Sequence, residues 1–202
     1  MIRFEKQEHQ YFMDEIKSVG VSELINHFGL SNYDKIPKHI LEPAAAFGKA
    51  GHLMCKYFFE KRLNEETLHK KLFPYLVGLK KLCIDHEIEP LAIEEPIGFK
   101  TLLICGTPDI RCKFDGAEMF LDWKFVKKVQ KTTQLQMGGY RYIHNGNIKE
   151  PGEEVGPGKI IQLLPNEYKI IDEEFESEDE FENLLNSYWI IKKYGGQCGT
   201  NL

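Results

Sequence analysis

The fold is decided between residues 106 and 124, where the chain reads Gly106-Thr107-Pro108-Asp109-Ile110-Arg111-Cys112-Lys113-Phe114-Asp115-Gly116-Ala117-Glu118-Met119-Phe120-Leu121-Asp122-Trp123-Lys124. Two short β-rich runs, Ile110–Phe114 and 119–125, flank Asp115-Gly116, a dipeptide that suits a tight hairpin turn. A hairpin of that length brings Asp109 and Asp122 side by side. Asp122 and Lys124 stand two apart, so on a strand they share a face. Two carboxylates and one ammonium are thereby expected to converge. Paired carboxylates suit a hard divalent cation such as Mg²⁺, and the Trp123 carbonyl could serve as a third oxygen. A lysine beside such a cation can orient or deprotonate a water, or neutralise a phosphate. Asp-x-Lys by itself is commonplace on surface hairpins; the preceding Thr-Pro-Asp makes the constellation a candidate site.

Working outward, the period changes. On the N-terminal side, residues 4–15 suggest a short polar hairpin. Ser22 is a plausible N-cap for a helix carrying Leu24, Ile25 and Phe28, which Gly29 ends. A second helix is expected over about 44–62, with Pro43 in its first turn. It contains Gly48-Lys49-Ala50-Gly51-His52. A third is expected over about 65–86, kinked or split by Pro74. Strands are expected at 91–95 and 102–105. On the C-terminal side a helix covers 132–143, and a Gly- and Pro-rich loop spans 145–158. A second hairpin, Lys159–Leu164 with 168–171, turns at Pro165-Asn166. A last helix, about 177–194, is expected to bury Phe181, Leu184, Leu185, Tyr188 and Ile191 or Lys192 and to stop at Gly195-Gly196. Such an order implies an α/β layered domain. Within the 132–143 helix, Gln136 and Tyr140 share a face one turn apart. Gly138-Gly139 costs about 1 kcal/mol per glycine relative to Ala in a helix, which implies close approach by a backbone or a ligand.

Composition sets the limits. The 202 residues make one domain, or a domain plus a small appendage. A hydrophobic share of 42% with 28% charged residues excludes a disordered chain, a collagen and a coiled coil. No apolar run is long enough to span a bilayer, and the opening residues 1–6 lack a signal peptide's apolar stretch. Five cysteines (Cys55, Cys83, Cys105, Cys112 and Cys198) form no disulfide spacing, so a cytoplasmic location is expected, the host cytoplasm if the chain is phage-encoded. The net charge is −5, but residues 172–182 hold eight acids and no base. Without them 23 acids face 26 bases, so nucleic acid is not excluded as a partner. Lys124, Lys127, Lys128 and Lys131 are the densest basic stretch. The acidic stretch reads as the solvated start of the last helix, suited to its positive dipole end.

Taken as an ordered set, Gly48-x-x-x-His52, Glu94, Gly106-x-x-Asp109, Asp122-x-Lys124 and Gln136-x-x-x-Tyr140 resemble the RecB-like branch of the PD-(D/E)xK nuclease superfamily. The second hairpin and the last helix are similar to those of small phage-type exonucleases of this branch, and of the mitochondrial genome maintenance exonuclease type. Coverage extends over most of the chain, least at residues 1–17. The resemblance implies a restriction-endonuclease-like core: a mixed central β-sheet flanked by helices, with an N-terminal helical region. It implies one domain over 1–202, with a hairpin and helical part at 1–88 and a catalytic core at 89–202. Asp109, Asp122 and the Trp123 carbonyl would bind Mg²⁺ or Mn²⁺, joined by His52. Lys124 would position or activate the attacking water. Glu94 would be the acid of the first core strand, although the adjacent Glu95 competes for the role. Gln136 and Tyr140 would contact the DNA backbone, which would run over Lys127, Lys128 and Lys131.

The implied activity is metal-dependent DNA hydrolysis, exonucleolytic in preference, in recombination, repair or replication and with a possible protein partner from those processes. A structure-specific endonuclease, an RNA-directed nuclease and a catalytically silent DNA-binding subunit remain alternatives. Some members of the branch hold an iron–sulfur cluster on four cysteines, three near the C-terminus. This chain has only Cys198 there, so no cluster is expected. No Walker motif occurs, so no bound nucleotide is expected, and neither is a membrane partner.

Overall fold

The computed structural model describes residues 1–5, 8, 10–31, 36–148 and 152–195. Cys198 lies outside them. Ten strands and five α-helices occur among the described residues. Three strands come first: β1 (Ile2–Glu5), β2 (Gln10–Met13) and β3 (Ile16–Gly20). Next come α1 (Val21–His27), α2 (Lys38–Phe59) and α3 (Phe73–Asp85). β4 (Ile88–Ile93), β5 (Ile97–Phe99), β6 (Ile104–Gly106), β7 (Ile110–Phe114) and β8 (Ala117–Lys124) follow. The chain closes with α4 (Thr132–Asn145), β9 (Lys159–Leu164), β10 (Glu167–Asp172) and α5 (Ser177–Tyr194).

The strands form two five-stranded mixed sheets rather than one central sheet, in the orders β1-β2-β3-β6-β5 and β10-β9-β8-β7-β4. The chain passes between the sheets at two breaks. Glu94, at φ +47°, turns it away after β4. Pro108, which has no N–H for a ladder, separates β6 of one sheet from β7 of the other. In the first sheet β3 runs parallel to β6, with Val19 opposite Ile104. In the second, β7 and β8 are antiparallel, and β9 lies parallel to β8 after the α4 crossover.

Strand β8 is buried on both faces, and its alternation sorts two cores. Phe120 packs with Met137, Tyr140, Phe181 and Leu185 on the side of α4 and α5. Leu121 and Trp123 pack with Met54, Leu76, Leu79 and Leu82 on the side of α2 and α3. This is an α/β layered molecule with helices on both sides of the second sheet. Among the described residues no helix is long and apolar enough to cross a membrane.

Some boundaries move. Helix α1 begins at Val21, so Ser22 lies inside it; the Glu23 carboxylate accepts from the Gly20 N–H at 3.3 Å in its place. Helix α2 starts at Lys38, six residues earlier than expected, and keeps Pro43 in its interior. The bond that Pro43 cannot make would reach the His39 carbonyl, and His39 is exposed, so water can satisfy it. Pro74 splits the third helix: a 3₁₀ turn at Glu65–Thr67 precedes α3, whose first turn holds the proline. Gly138 and Gly139 admit protein rather than ligand. A methyl at 138 would collide with the Ser177 carbonyl, and one at 139 would meet the Phe181 ring at 2.7 Å.

The acidic stretch is not wholly solvated. Glu173 is buried, accepting from Arg141 Nε at 3.0 Å, the Gly158 N–H at 2.6 Å and the Ser177 hydroxyl at 2.6 Å. Arg141 also donates to the Phe175 carbonyl at 2.6 Å and pairs with Glu178 at 3.0 Å. These contacts clamp α4 to the start of α5.

Candidate active site

Asp115 and Gly116 both take positive φ, +49° and +84°, the conformation a two-residue hairpin turn needs. The ladder then runs from Phe114 opposite Ala117 to Ile110 opposite Leu121. One step further, Asp109 faces Asp122 at the open end of the hairpin, where the chain crosses between the sheets. Asp109 has left strand geometry. Its Oδ2 accepts from the Trp123 N–H at 2.8 Å, and its Oδ1 lies 3.1 Å from His52 Nδ1. In an extended strand a residue's N–H and C=O leave from the same edge, so the Trp123 carbonyl is turned toward that edge as well.

Asp122 is 2% exposed. Lys124 Nζ pairs with its Oδ2 at 2.6 Å. Lys124 also makes a long 3.5 Å contact to Gln136 Oε1, and Gln136 Nε2 donates to the Tyr140 hydroxyl at 2.8 Å. Lys124, Gln136 and Tyr140 thus form one chain of contacts ending at Asp122. Tyr140 is held against Gly106, where a methyl would meet its ring at 2.7 Å.

Charge is distributed unevenly. Burial works to raise the Asp109 pKa, but His52, Lys124 and the Trp123 N–H outweigh it and hold the carboxyl below its usual value. Burial raises Asp122; Lys124 opposes this and Asp109 adds to it, leaving Asp122 above its usual value. For His52, burial lowers the pKa, and the two aspartates more than offset it. The Tyr140 phenol is pushed well above its usual value, chiefly by burial.

Asp109, Asp122, His52, Lys124, Gln136 and Tyr140 line one cleft of about 650 Å³, while Trp123 is buried behind it. Glu94 lines it too, whereas Glu95 faces a separate small hollow with Pro108 and Arg111. The Glu94 N–H donates to the Asp109 carbonyl at 3.0 Å, and its carboxylate pairs with Lys56 Nζ at 2.6 Å. Helix α2 therefore reaches both acids from one face, with His52 on Asp109 and Lys56 on Glu94 one turn apart. Lys127, Lys128 and Lys131 are exposed on the β8–α4 connection and do not line the cleft.

Among the described residues no three His, Cys, Asp or Glu side chains stand gathered as a metal cage. By donor chemistry, the groups able to hold a hard divalent cation are Asp109, Asp122, His52 and the Trp123 carbonyl. Two carboxylates facing each other at the open end of the hairpin, with His52 beside one of them, are the observation that fits one.

Several cleft residues escaped the sequence reading. Lys49 lines the cleft one turn before His52, and Lys56, one turn after it, pairs with Glu94; their helical spacing was a signal that was there to use. Tyr11, whose hydroxyl lies 2.9 Å from Thr107 Oγ1, came with no local signal, because the first sheet brings it across 96 positions of chain. No protein-family model matches the chain, and no curated protein matches it at a significant level.

Proposed function

We propose that this protein is a Mg²⁺- or Mn²⁺-dependent deoxyribonuclease with a PD-(D/E)xK core, acting by preference from DNA ends in recombination, repair or replication. The observation that carries the reading is the open end of the β7–β8 hairpin. There Asp109 and Asp122 stand opposite each other, with Lys124 2.6 Å from a buried Asp122 oxygen. The meander β4-β7-β8, with β9 added parallel across α4, supports the core assignment.

Asp109, Asp122, His52 and the Trp123 carbonyl would hold the cation. When bound, such an ion offsets phosphate charge and lowers the pKa of a coordinated water. The chain's own groups do the rest. His52 and the Trp123 N–H fix both Asp109 oxygens, so this carboxylate stays ionised and oriented. Lys124 places a fixed positive charge where a phosphodiester's developing negative charge needs it. Gln136 and Tyr140 hold that ammonium in line and offer an amide and a phenol to the DNA backbone. Glu94 adds a third carboxylate at the cleft wall, and exposed Lys127, Lys128 and Lys131 supply cations beside it for neighbouring phosphates.

Digestion of linear single strands, linear duplex, closed circles and RNA, each with Mg²⁺ or Mn²⁺ and with EDTA, tests the proposal. Loss of linear DNA with circles spared is the expected result. Cleavage of circles reassigns the site to an endonuclease, and cleavage of RNA alone to a ribonuclease. Binding without cleavage in either metal overturns catalysis and leaves a DNA-binding subunit.

A further inference from the structure

A second hollow, of about 380 Å³, adjoins the cleft and shares three of its wall residues, Ser22, Lys124 and Gln136. Its volume lies within the range of small-ligand pockets. Much of the remaining wall is aliphatic, with Ile25 from α1, Ile40 and Ala44 from α2, and Val126 just beyond β8. Ile40 and Val126 are 55% and 46% exposed, though they belong to elements far apart in sequence. Gln130 and Thr133 add an amide and a hydroxyl. The lining suits a flat ligand with apolar faces and a hydrogen-bonding edge.

A phosphodiester held at Lys124 carries such a group within one nucleotide's reach. We propose that this hollow takes one unpaired nucleobase of the strand being cleaved, next to the phosphate at Lys124. The inference rests on the nuclease reading above and adds base contact to a site otherwise built for phosphate. Charge supports this occupant. Exposed Lys127 and Lys128 follow Val126 directly, so cations for the adjoining phosphates border the aliphatic wall. A paired base is stacked on both faces with its edge occupied, so only an unpaired one can enter.

Binding, measured in EDTA by fluorescence polarisation, separates the two readings. The probes are a short single-stranded oligodeoxynucleotide and the same backbone with abasic residues throughout. Wild type is expected to favour the base-bearing strand by at least about fivefold, the low end of what stacking one base contributes. Ile40→Asn and Val126→Asn, both neutral changes at exposed positions outside the catalytic machinery, should abolish that preference while binding the abasic strand as wild type does. Equal wild-type affinity for both strands overturns the base site and leaves the phosphate-reading site standing. Variants that keep the full preference also overturn it and point to a protein occupant, and equal losses on both strands make the hollow structural. If wild type binds neither strand, the base site falls, and the digestion described above then decides the nuclease reading by itself.

Discussion

Replacing Arg141 by Met should cost about 3 kcal/mol of stability. The guanidinium is 3% exposed and contacts Glu173, Glu178 and the Phe175 carbonyl. Removing one partner of a buried ion pair costs about 3–5 kcal/mol, because the other charge stays buried and unpaired. Glu173 would keep the Ser177 hydroxyl and the Gly158 N–H, both at 2.6 Å, so the low end applies. For a chain of this length, 3 kcal/mol corresponds to about 6–12 °C in Tm. Urea and thermal unfolding followed by circular dichroism read the loss. Adding Glu173→Gln to Arg141→Met should recover part of it, because the stranded charge is gone. A loss under about 1 kcal/mol, the level of an exposed pair, would refute the clamp, as would a double variant less stable than the single one. The clamp holds α4, which carries Gln136 and Tyr140, so Arg141→Met should also lower any turnover at the cleft.

Two glycines of similar helical setting should behave oppositely. Gly138→Ala drives a methyl into the Ser177 carbonyl and should cost about 1–3 kcal/mol, whereas Gly48→Ala meets open space and should be neutral or stabilising by up to about 1 kcal/mol. Equal urea midpoints for the two variants would contradict the packing of α4 on α5. Burial, aided by Arg111, lowers the His144 pKa below 6.5. The folded state therefore holds fewer protons than the unfolded one just below that pH, so His144 contributes stability above 6.5 that is lost as pH falls through its folded value. His144→Asn should flatten the acid-side slope of stability against pH; an unchanged slope refutes this. Gln136→Ala should reduce DNA hydrolysis in part and Lys124→Met far more, since Gln136 acts on Asp122 only through the lysine; equal rates for the two would contradict that order.

The elements legible in the sequence obey local rules. The β7–β8 hairpin follows from one dipeptide set between two β-rich runs. Strand β9 and helix α5 match their expected bounds, because their periodicity and stop signals lie within them. The second sheet's acids were placed by the same hairpin arithmetic. What escaped depends on distant chain. No local pattern announces that β3 will pair with β6, so the division into two sheets was missed, and with it the contribution of Tyr11 to the cleft. The Arg141–Glu173 pair needs α4 to meet the residues between β10 and α5, and an acidic run reads as solvent-facing until that packing is known. Glu94 and Glu95 could not be separated before the positive φ at Glu94 was in view, since that turn decides which of them lines the cleft.

The most direct test of the account is the rate at which Mn²⁺ drives nucleotide release from end-labelled linear DNA, with wild type beside Asp122→Asn. Release by wild type that stops in EDTA and is lost in a folded Asp122→Asn protein is the predicted result. Release that persists in Asp122→Asn, or none from wild type while the DNA stays bound, would contradict it.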